Sequence, residues 1–189
     1  MTQRLVTFLE NYHQKNPYKF GAQKEEIRQF LKADDYFCDY LLLTLANETK
    51  VKNVGDKWAI CEFSIELSES ENKLLENLIN ILNSEGFTSS RYNELAIKLG
   101  ADKDKVMLLL NIAEQRGDVL RLDESLMFTR GNFSSLREKV INFFDNESEL
   151  SVSQFKDLAD TSRKYAVPLL EYFDKQKITY RDGNSRKLV

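Results

Sequence analysis

Along this chain apolar residues recur every three to four positions in three successive groups of three stretches, the spacing of one face of an α-helix. The first group covers residues 3–13, 23–31 and 35–48, with Asn16-Pro17 and Gly21 breaking the first stretch from the second. The second covers 68–85, 90–99 and 102–116, separated by Gly86 and Gly100, and the third covers 133–146, 152–159 and 162–175. Each group then repeats one closing pattern. Leu42-Leu43-Thr44-Leu45-Ala46, Leu109-Leu110-Asn111-Ile112-Ala113 and Leu169-Leu170-Glu171-Tyr172-Phe173 run through a polar turn into Val51, Val119 and Ile178. Tight-turn residues follow at Val54-Gly55-Asp56-Lys57, Leu122-Asp123-Glu124-Ser125 and Arg181-Asp182-Gly183-Asn184, and an apolar strand returns after each.

Three helices and a β-hairpin make a winged-helix module, a helix-turn-helix with a two-stranded wing. The fold class expected is mainly α with small β-hairpins (α+β), as three tandem winged-helix modules at 1–66, 67–131 and 132–189. Boundaries fall near 64–68 and 129–132. Leu43, Leu110 and Leu170 mark a period of roughly 60 to 67 residues, longer than ordinary solenoid repeats and near the minimum for a domain. Modules of that size are expected to share apolar surface, and the short linkers predict a fairly rigid, elongated arrangement.

Composition narrows the function classes. With 189 residues, 42% hydrophobic, and 12 Phe and 8 Tyr, the chain has enough apolar surface to fold, which excludes disorder. No apolar run nears the roughly 20 residues of a membrane span, and Met1-Thr2-Gln3-Arg4-Leu5 lacks a signal peptide's apolar core. A cytoplasmic monomer with no membrane partner is expected. Cys38 and Cys61 are isolated and His13 is the single histidine, so no disulfide framework, metal site or cofactor is expected, and both thiols read as buried. The seven glycines form no phosphate-binding loop, which argues against nucleotide hydrolysis in this chain. Glu25-Glu26 and Asp34-Asp35 sit at helix starts, where negative charge suits the backbone dipole, and His13 reads as its positive partner at a helix end. No catalysis is expected.

Charge is unevenly spread. The net charge is -3, yet residues 1–150 hold 19 Lys+Arg against 25 Asp+Glu, while residues 151–189 hold 8 against 5. The basic excess falls at Arg163 and Lys164, opening the last helix after Ser162 as N-cap, and at Arg181, Arg186 and Lys187 on the last hairpin. The recognition-helix start and the wing are where winged helices touch nucleic acid. Tyr165 adds a ring on which a base could stack. Pro168, inside the last helix, either kinks it or moves its regular part to about Val167. From these residues alone an RNA-binding module, a duplex-DNA-binding regulator and a protein scaffold all remain open.

The run Thr161-Ser162-Arg163-Lys164-Tyr165-Ala166-Val167-Pro168-Leu169-Leu170-Glu171, preceded by Gln154-Phe155-Lys156-Asp157-Leu158, resembles the C-terminal winged helix of the bacterial selenocysteine-specific elongation factors, the SelB family. His13, Asn16-Pro17, Gly21 and Glu25-Glu26-Ile27-Arg28 resemble the opening of an earlier module of the same tail. Residues 68–130 match by architecture and position. The resemblance implies a tail of winged-helix modules behind a GTPase and tRNA-binding part that is absent from this chain. It further implies that the last module binds an mRNA stem-loop, the selenocysteine insertion hairpin beside a recoded UGA codon. The ribosome and selenocysteyl-tRNA would be partners of the full-length factor. Ser162, Arg163, Lys164 and Tyr165 match the family's RNA-facing helix start, with Arg181 and Arg186 at basic wing positions. Asp160 departs from the pattern where a small residue, often glycine, is expected, and Asn184 where an acidic residue is common.

A folded RNA suits such a surface better than a duplex. A-form RNA hides its base edges in a narrow groove, so specificity comes from loop and bulge bases splayed onto protein while phosphates are gripped alongside. Two acidic modules before the basic one would act as a spacer that repels unspecific RNA.

Overall fold

Each group of three helices ends in an antiparallel hairpin in the computed structural model, which describes residues 1–88, 90–123 and 126–189. The first motif runs α1 (Thr2–Lys15), β1 (Ala22–Gln23), α2 (Lys24–Leu31), α3 (Asp35–Asn47), β2 (Val51–Val54) and β3 (Lys57–Ile60). The second runs α4 (Glu69–Glu85), α5 (Tyr92–Leu99), α6 (Lys103–Arg116), β4 (Val119–Asp123) and β5 (Leu126–Thr129). In the third, α7 (Arg130–Phe143) leads into β6 (Leu150–Ser151), α8 (Val152–Leu158), α9 (Arg163–Lys175), β7 (Thr179–Asp182) and β8 (Ser185–Leu188). The turn read at Leu122-Asp123-Glu124-Ser125 falls partly outside the described residues, at Glu124 and Ser125.

The repeat extends to local chemistry. At the start of the second helix of each motif, the backbone N–H of Gln23, Arg91 or Ser151 donates to the side chain three residues on, Glu26, Glu94 or Gln154. Between the second and third helices the chain turns through a left-handed residue at Lys32, Gly100 or Asp160. A second left-handed residue leads from the third helix into the hairpin, at Thr49, Gly117 or Lys177. The departure at Asp160 is thereby explained: with φ at 46° a glycine would sit there without strain, and aspartate is among the side chains that tolerate it.

Two-residue strands add what periodicity does not reveal. β1 pairs with β3 and β6 with β8, giving the first and third motifs three-stranded sheets of order β1-β3-β2 and β6-β8-β7. Gly21, read as a helix breaker, is required by close approach, because a Cβ there would overlap the carbonyl oxygen of Trp58.

By packing the chain forms two compact units, Met1–Ser68 and Glu69–Val189. The first unit has its own core, with Leu5 and Leu9 of α1, Ile27 and Leu31 of α2, and Cys38, Leu41, Leu42 and Leu45 of α3. Cys61 is only half-buried. In the second unit Phe87, Leu126 and Phe128 of the second motif share one core with Leu136, Val140, Leu150, Phe155, Leu169, Leu170 and Phe173 of the third. Thr129 to Asn132, where the sequence places a module boundary, are the end of β5 and the first turn of α7. Thr129 accepts from Asn132 N–H as N-cap and donates to Asn83, while the Asn132 amide donates to the carbonyls of Leu82 and Asn83. A side chain that both caps one helix and holds another leaves no free joint here.

Helix α9 begins at Arg163 and carries Pro168 inside, so its regular part does not wait until Val167. Proline offers no N–H to the Lys164 carbonyl one turn back. No helix among the described residues is long and apolar enough to cross a membrane.

His13 departs from the expectation of a helix-end dipole partner. It is 6% exposed, its ring stacks on Phe63 at 3.6 Å, and its Nε2 accepts from Ile60 N–H at 3.2 Å. An accepting nitrogen is unprotonated, and burial, helped by Lys52, pushes the His13 pKa down. At mildly acid pH the unfolded chain therefore binds a proton that the folded unit refuses. The His13 contribution to stability is full above about pH 6.5 and falls as pH drops below it. The melting temperature of Met1–Ser68 in the full chain is expected to fall between pH 7 and pH 5. His13→Gln should lower it at pH 7 and flatten that dependence, as read by circular dichroism.

Candidate nucleic-acid interface

Burial fixes which way α9 faces. Ala166, Leu169, Leu170 and Phe173 are buried in the shared core, and this leaves Arg163, Val167 and Glu171, spaced one turn apart, along a different stripe. In the wing Arg181 and Arg186 are directly opposed across β7 and β8, so their side chains leave the same face of the hairpin. The stripe and that face meet. Arg163, Val167, Glu171, Arg181 and Arg186 line one cavity of about 520 Å³, whose remaining wall is Ser151, Val152 and Ser153 with Asn184 of the turn. Three guanidinium groups from segments far apart in sequence thus surround a single space, against one carboxylate.

The three arginines are not equivalent. Arg163 is exposed, and Arg181 is exposed with its Nε donating to the Gly183 carbonyl at 3.1 Å. Arg186 is 5% exposed, and its Nε lies 3.4 Å from Asp174 Oδ2. The other Asp174 oxygen accepts from the Thr179 hydroxyl at 2.7 Å, so one carboxylate ties the wing to α9 and orients Arg186. Ser162 stands at the N-cap with extended backbone but makes no side-chain cap bond, which leaves its exposed hydroxyl and the first N–H groups of α9 directed outward. Lys164 is exposed, with its ammonium 4.9 Å from the Tyr165 ring centroid. Tyr165 is half-buried against the core, so its ring steadies Lys164 where the sequence suggests an open stacking platform.

Lys187 is not brought into this group. It pairs across the hairpin with Tyr180, on the face opposite Arg181 and Arg186. Asp182 Oδ2 holds its ammonium at 2.7 Å and Glu149 at 3.5 Å, and the hydrogen bond to Asp182 raises its pKa. Glu171 and Ser153 also line the cavity without any signal of their own in the sequence beyond the position of Glu171, two turns from Arg163 on the same helical stripe.

The other two motifs carry the same helix with different chemistry. Matching buried positions align Cys38, Leu41, Leu42 and Leu45 with Val106, Leu109, Leu110 and Ala113, and with Ala166, Leu169, Leu170 and Phe173, so that Leu42, and not the exposed Leu43, corresponds to Leu110 and Leu170. In this alignment Arg121 corresponds to Arg181, but its guanidinium is folded back onto Asn111 at 3.0 Å and Glu114 at 3.2 Å. Both contacts are made by one terminal nitrogen, and the buried Nε has no hydrogen-bond partner among the described residues. In the first motif Asp35 and Asp39 stand where the third has Arg163 and Val167, and both bind Lys24, at 2.8 and 2.7 Å, raising its pKa. Among the described residues, the cavity lined by Arg163, Arg181 and Arg186 lies in the third motif.

Comparison with known proteins gives a consistent picture. Residues 6–59 and 142–188 each match a model described as "Elongation factor SelB, winged helix". The chain is 21% identical over 185 residues to the selenocysteine-specific elongation factor of Desulfomicrobium baculatum, covering 97% of this chain and 29% of that protein. It is also 21% identical to the Escherichia coli (strain K12) factor of the same description, covering 98% and 30%. The chain therefore spans about 30% of the length of these curated relatives. Among solved structures, the mRNA-binding domain of Escherichia coli SelB in complex with SECIS RNA aligns with a TM-score of 0.54 at 22% identity, over 65% of this chain and 98% of that one. A bacterial selenocysteine-specific elongation factor aligns with a TM-score of 0.53 at 23% identity, over 100% of this chain and 29% of that one. These likenesses show a common fold. With the two matched segments together covering more than half of its residues, the chain belongs to the winged-helix part of the SelB elongation factors.

Proposed function

We propose that the third motif holds an mRNA stem-loop through Ser162, Arg163 and Lys164 at the start of α9 and Arg181 and Arg186 on the wing, tethering a selenocysteine-specific elongation factor to its message for UGA recoding. The observation carrying this reading is the convergence of Arg163, Arg181 and Arg186 on one cavity. Two of these guanidinium groups are open to phosphate and the third is oriented by Asp174, an arrangement suited to gripping a bent backbone around an unpaired loop. That a solved SelB domain of the same fold carries SECIS RNA supports the assignment. The chain performs no catalysis on this reading and needs no cofactor. On this reading a GTPase with contacts to selenocysteyl-tRNA and ribosome would belong to the full-length factor, of whose relatives this chain spans about 30%.

Salt separates this reading from its rivals. With three to four cations on the backbone, stem-loop affinity should fall by roughly 20- to 150-fold between 50 and 200 mM salt. The test is titration of the full chain with a panel of stem-loops at both concentrations, with palindromic duplex DNA as competitor. DNA outcompeting every stem-loop, or no steep salt response, would overturn the proposal.

A further inference from the structure

The first motif presents a surface that RNA binding leaves unused. On α3 Tyr36, Tyr40 and Leu43 are 91%, 65% and 60% exposed. Their spacing of four and three residues puts them on one stripe. Together they expose roughly 400 Å² of side chain, comparable to the largest apolar patch on a typical monomer, which is often a functional surface. Nothing in the packing of the first unit calls for this stripe, because the same helix buries Cys38, Leu41, Leu42 and Leu45 on its other side.

The surrounding charge selects the occupant. From residue 33 to residue 49 there is no Lys or Arg, while Asp34, Asp35, Asp39 and Glu48 fall within that stretch. Asp35 and Asp39 flank one side of the stripe and share the single cation Lys24. An RNA strand would bring phosphates to a helix with no cation of its own to receive them, the reverse of α9. A second copy of the chain, meeting this face by two-fold symmetry, would set one acidic edge against another and bring no Lys or Arg from α3 itself. A protein helix with apolar residues at the same spacing and lysine or arginine along one edge satisfies both halves of the surface.

We infer that Tyr36, Tyr40 and Leu43, with the Asp35 and Asp39 edge, form a docking face for a basic amphipathic protein helix. The face is separate from the arginine cavity, so its test does not depend on RNA binding. The probe is an 18-residue peptide of leucine and lysine in amphipathic helical order, added to the full chain and followed by backbone amide resonances. Saturable shifts confined to α3 and its neighbours are expected, and the Tyr36→Ser, Tyr40→Ser double variant should weaken binding at least tenfold. This variant keeps every acidic group, so charge attraction alone would leave its affinity unchanged and overturn the proposal. A leucine–glutamate peptide of the same pattern should not bind. Equal binding by that peptide, shifts at α3 caused by a uridine decamer, or self-association through these residues would also overturn it. A melting curve shows that the variant is folded, which is expected because both tyrosines are exposed.

Discussion

Replacing Arg163 and Arg181 together by alanine is expected to weaken stem-loop binding by roughly 100- to 1,000-fold while leaving the melting temperature within about 1 °C. A hydrogen bond to a charged group contributes about 1.5–3 kcal/mol, and each 1.4 kcal/mol is a factor of ten, so losing one such contact per arginine at the lower end of that range, about 3–4 kcal/mol in all, gives this loss. Stability should be untouched because both side chains are exposed, and the bond from Arg181 to the Gly183 carbonyl is a surface contact that water replaces. The pair is more informative than Arg186. Removing Arg186 strips a partner from Asp174, which also holds the Thr179 hydroxyl, so lost binding could follow from a loosened wing. Fluorescence anisotropy with a labelled stem-loop and a parallel thermal melt measure both quantities. A loss under threefold would remove the cavity from the binding surface.

Phe128→Ala should destabilise the unit Glu69–Val189 by about 3–5 kcal/mol, the usual cost of deleting a buried aromatic ring. Phe128 belongs to the hairpin of the second motif, yet its ring lies 5.2 Å from Phe87 and 6.1 Å from Phe133 of α7. Phe133 then packs on Phe173 at 5.1 Å, and Phe173 on Phe155 at 5.5 Å. A chain of rings thus runs from the wing of one motif to the recognition helix of the next. The expected result is that α4 and α9 lose hydrogen-exchange protection together. A single calorimetric transition for this unit should move down by on the order of 10–20 °C, with the transition of Met1–Ser68 in place. Separate transitions for the second and third motifs would show that the shared core does not couple them. Because whole domains are stable by only about 5–15 kcal/mol, the third motif would owe part of its stability, and so the shape of its arginine cavity, to its neighbour.

Much of the architecture is legible because helices and hairpins carry local signals. The helical period, the breakers Gly86 and Gly100 and the turn residues at Gly55 and Gly183 are written in consecutive residues, and each marks an element end in the structure. The strands β1 and β6 are illegible for the converse reason. Two residues have no period, and they are strands only because β3 and β8 lie beside them. Periodicity places the seventh helix at 133–146, whereas α7 starts three residues earlier, at Arg130, because Thr129 caps it.

The candidate site divides along the same line. The residue types and their two places in the chain, a basic helix start and a basic wing, are read from sequence, and the family resemblance rests chiefly on the run through that helix start. Sequence does not show how each cation is spent. Arg121 and Arg181 occupy matching positions, but Asn111 and Glu114 capture the first, while Arg181 remains exposed beside Glu171. Lys187 looks equivalent to Arg186, but strand alternation sends it to the other face, where Asp182 and Glu149 hold it.

By itself, then, the amino-acid order determined the elements, their threefold repetition and the concentration of positive charge at one end, since each depends on neighbours within a turn or two. Tertiary structure decided that the second and third motifs share one core, that Arg163 meets Arg181 and Arg186, and that His13 is buried as an acceptor. Those outcomes depend on which groups fill the space around each side chain once distant segments have packed, and pairing, burial and desolvation are properties of that space.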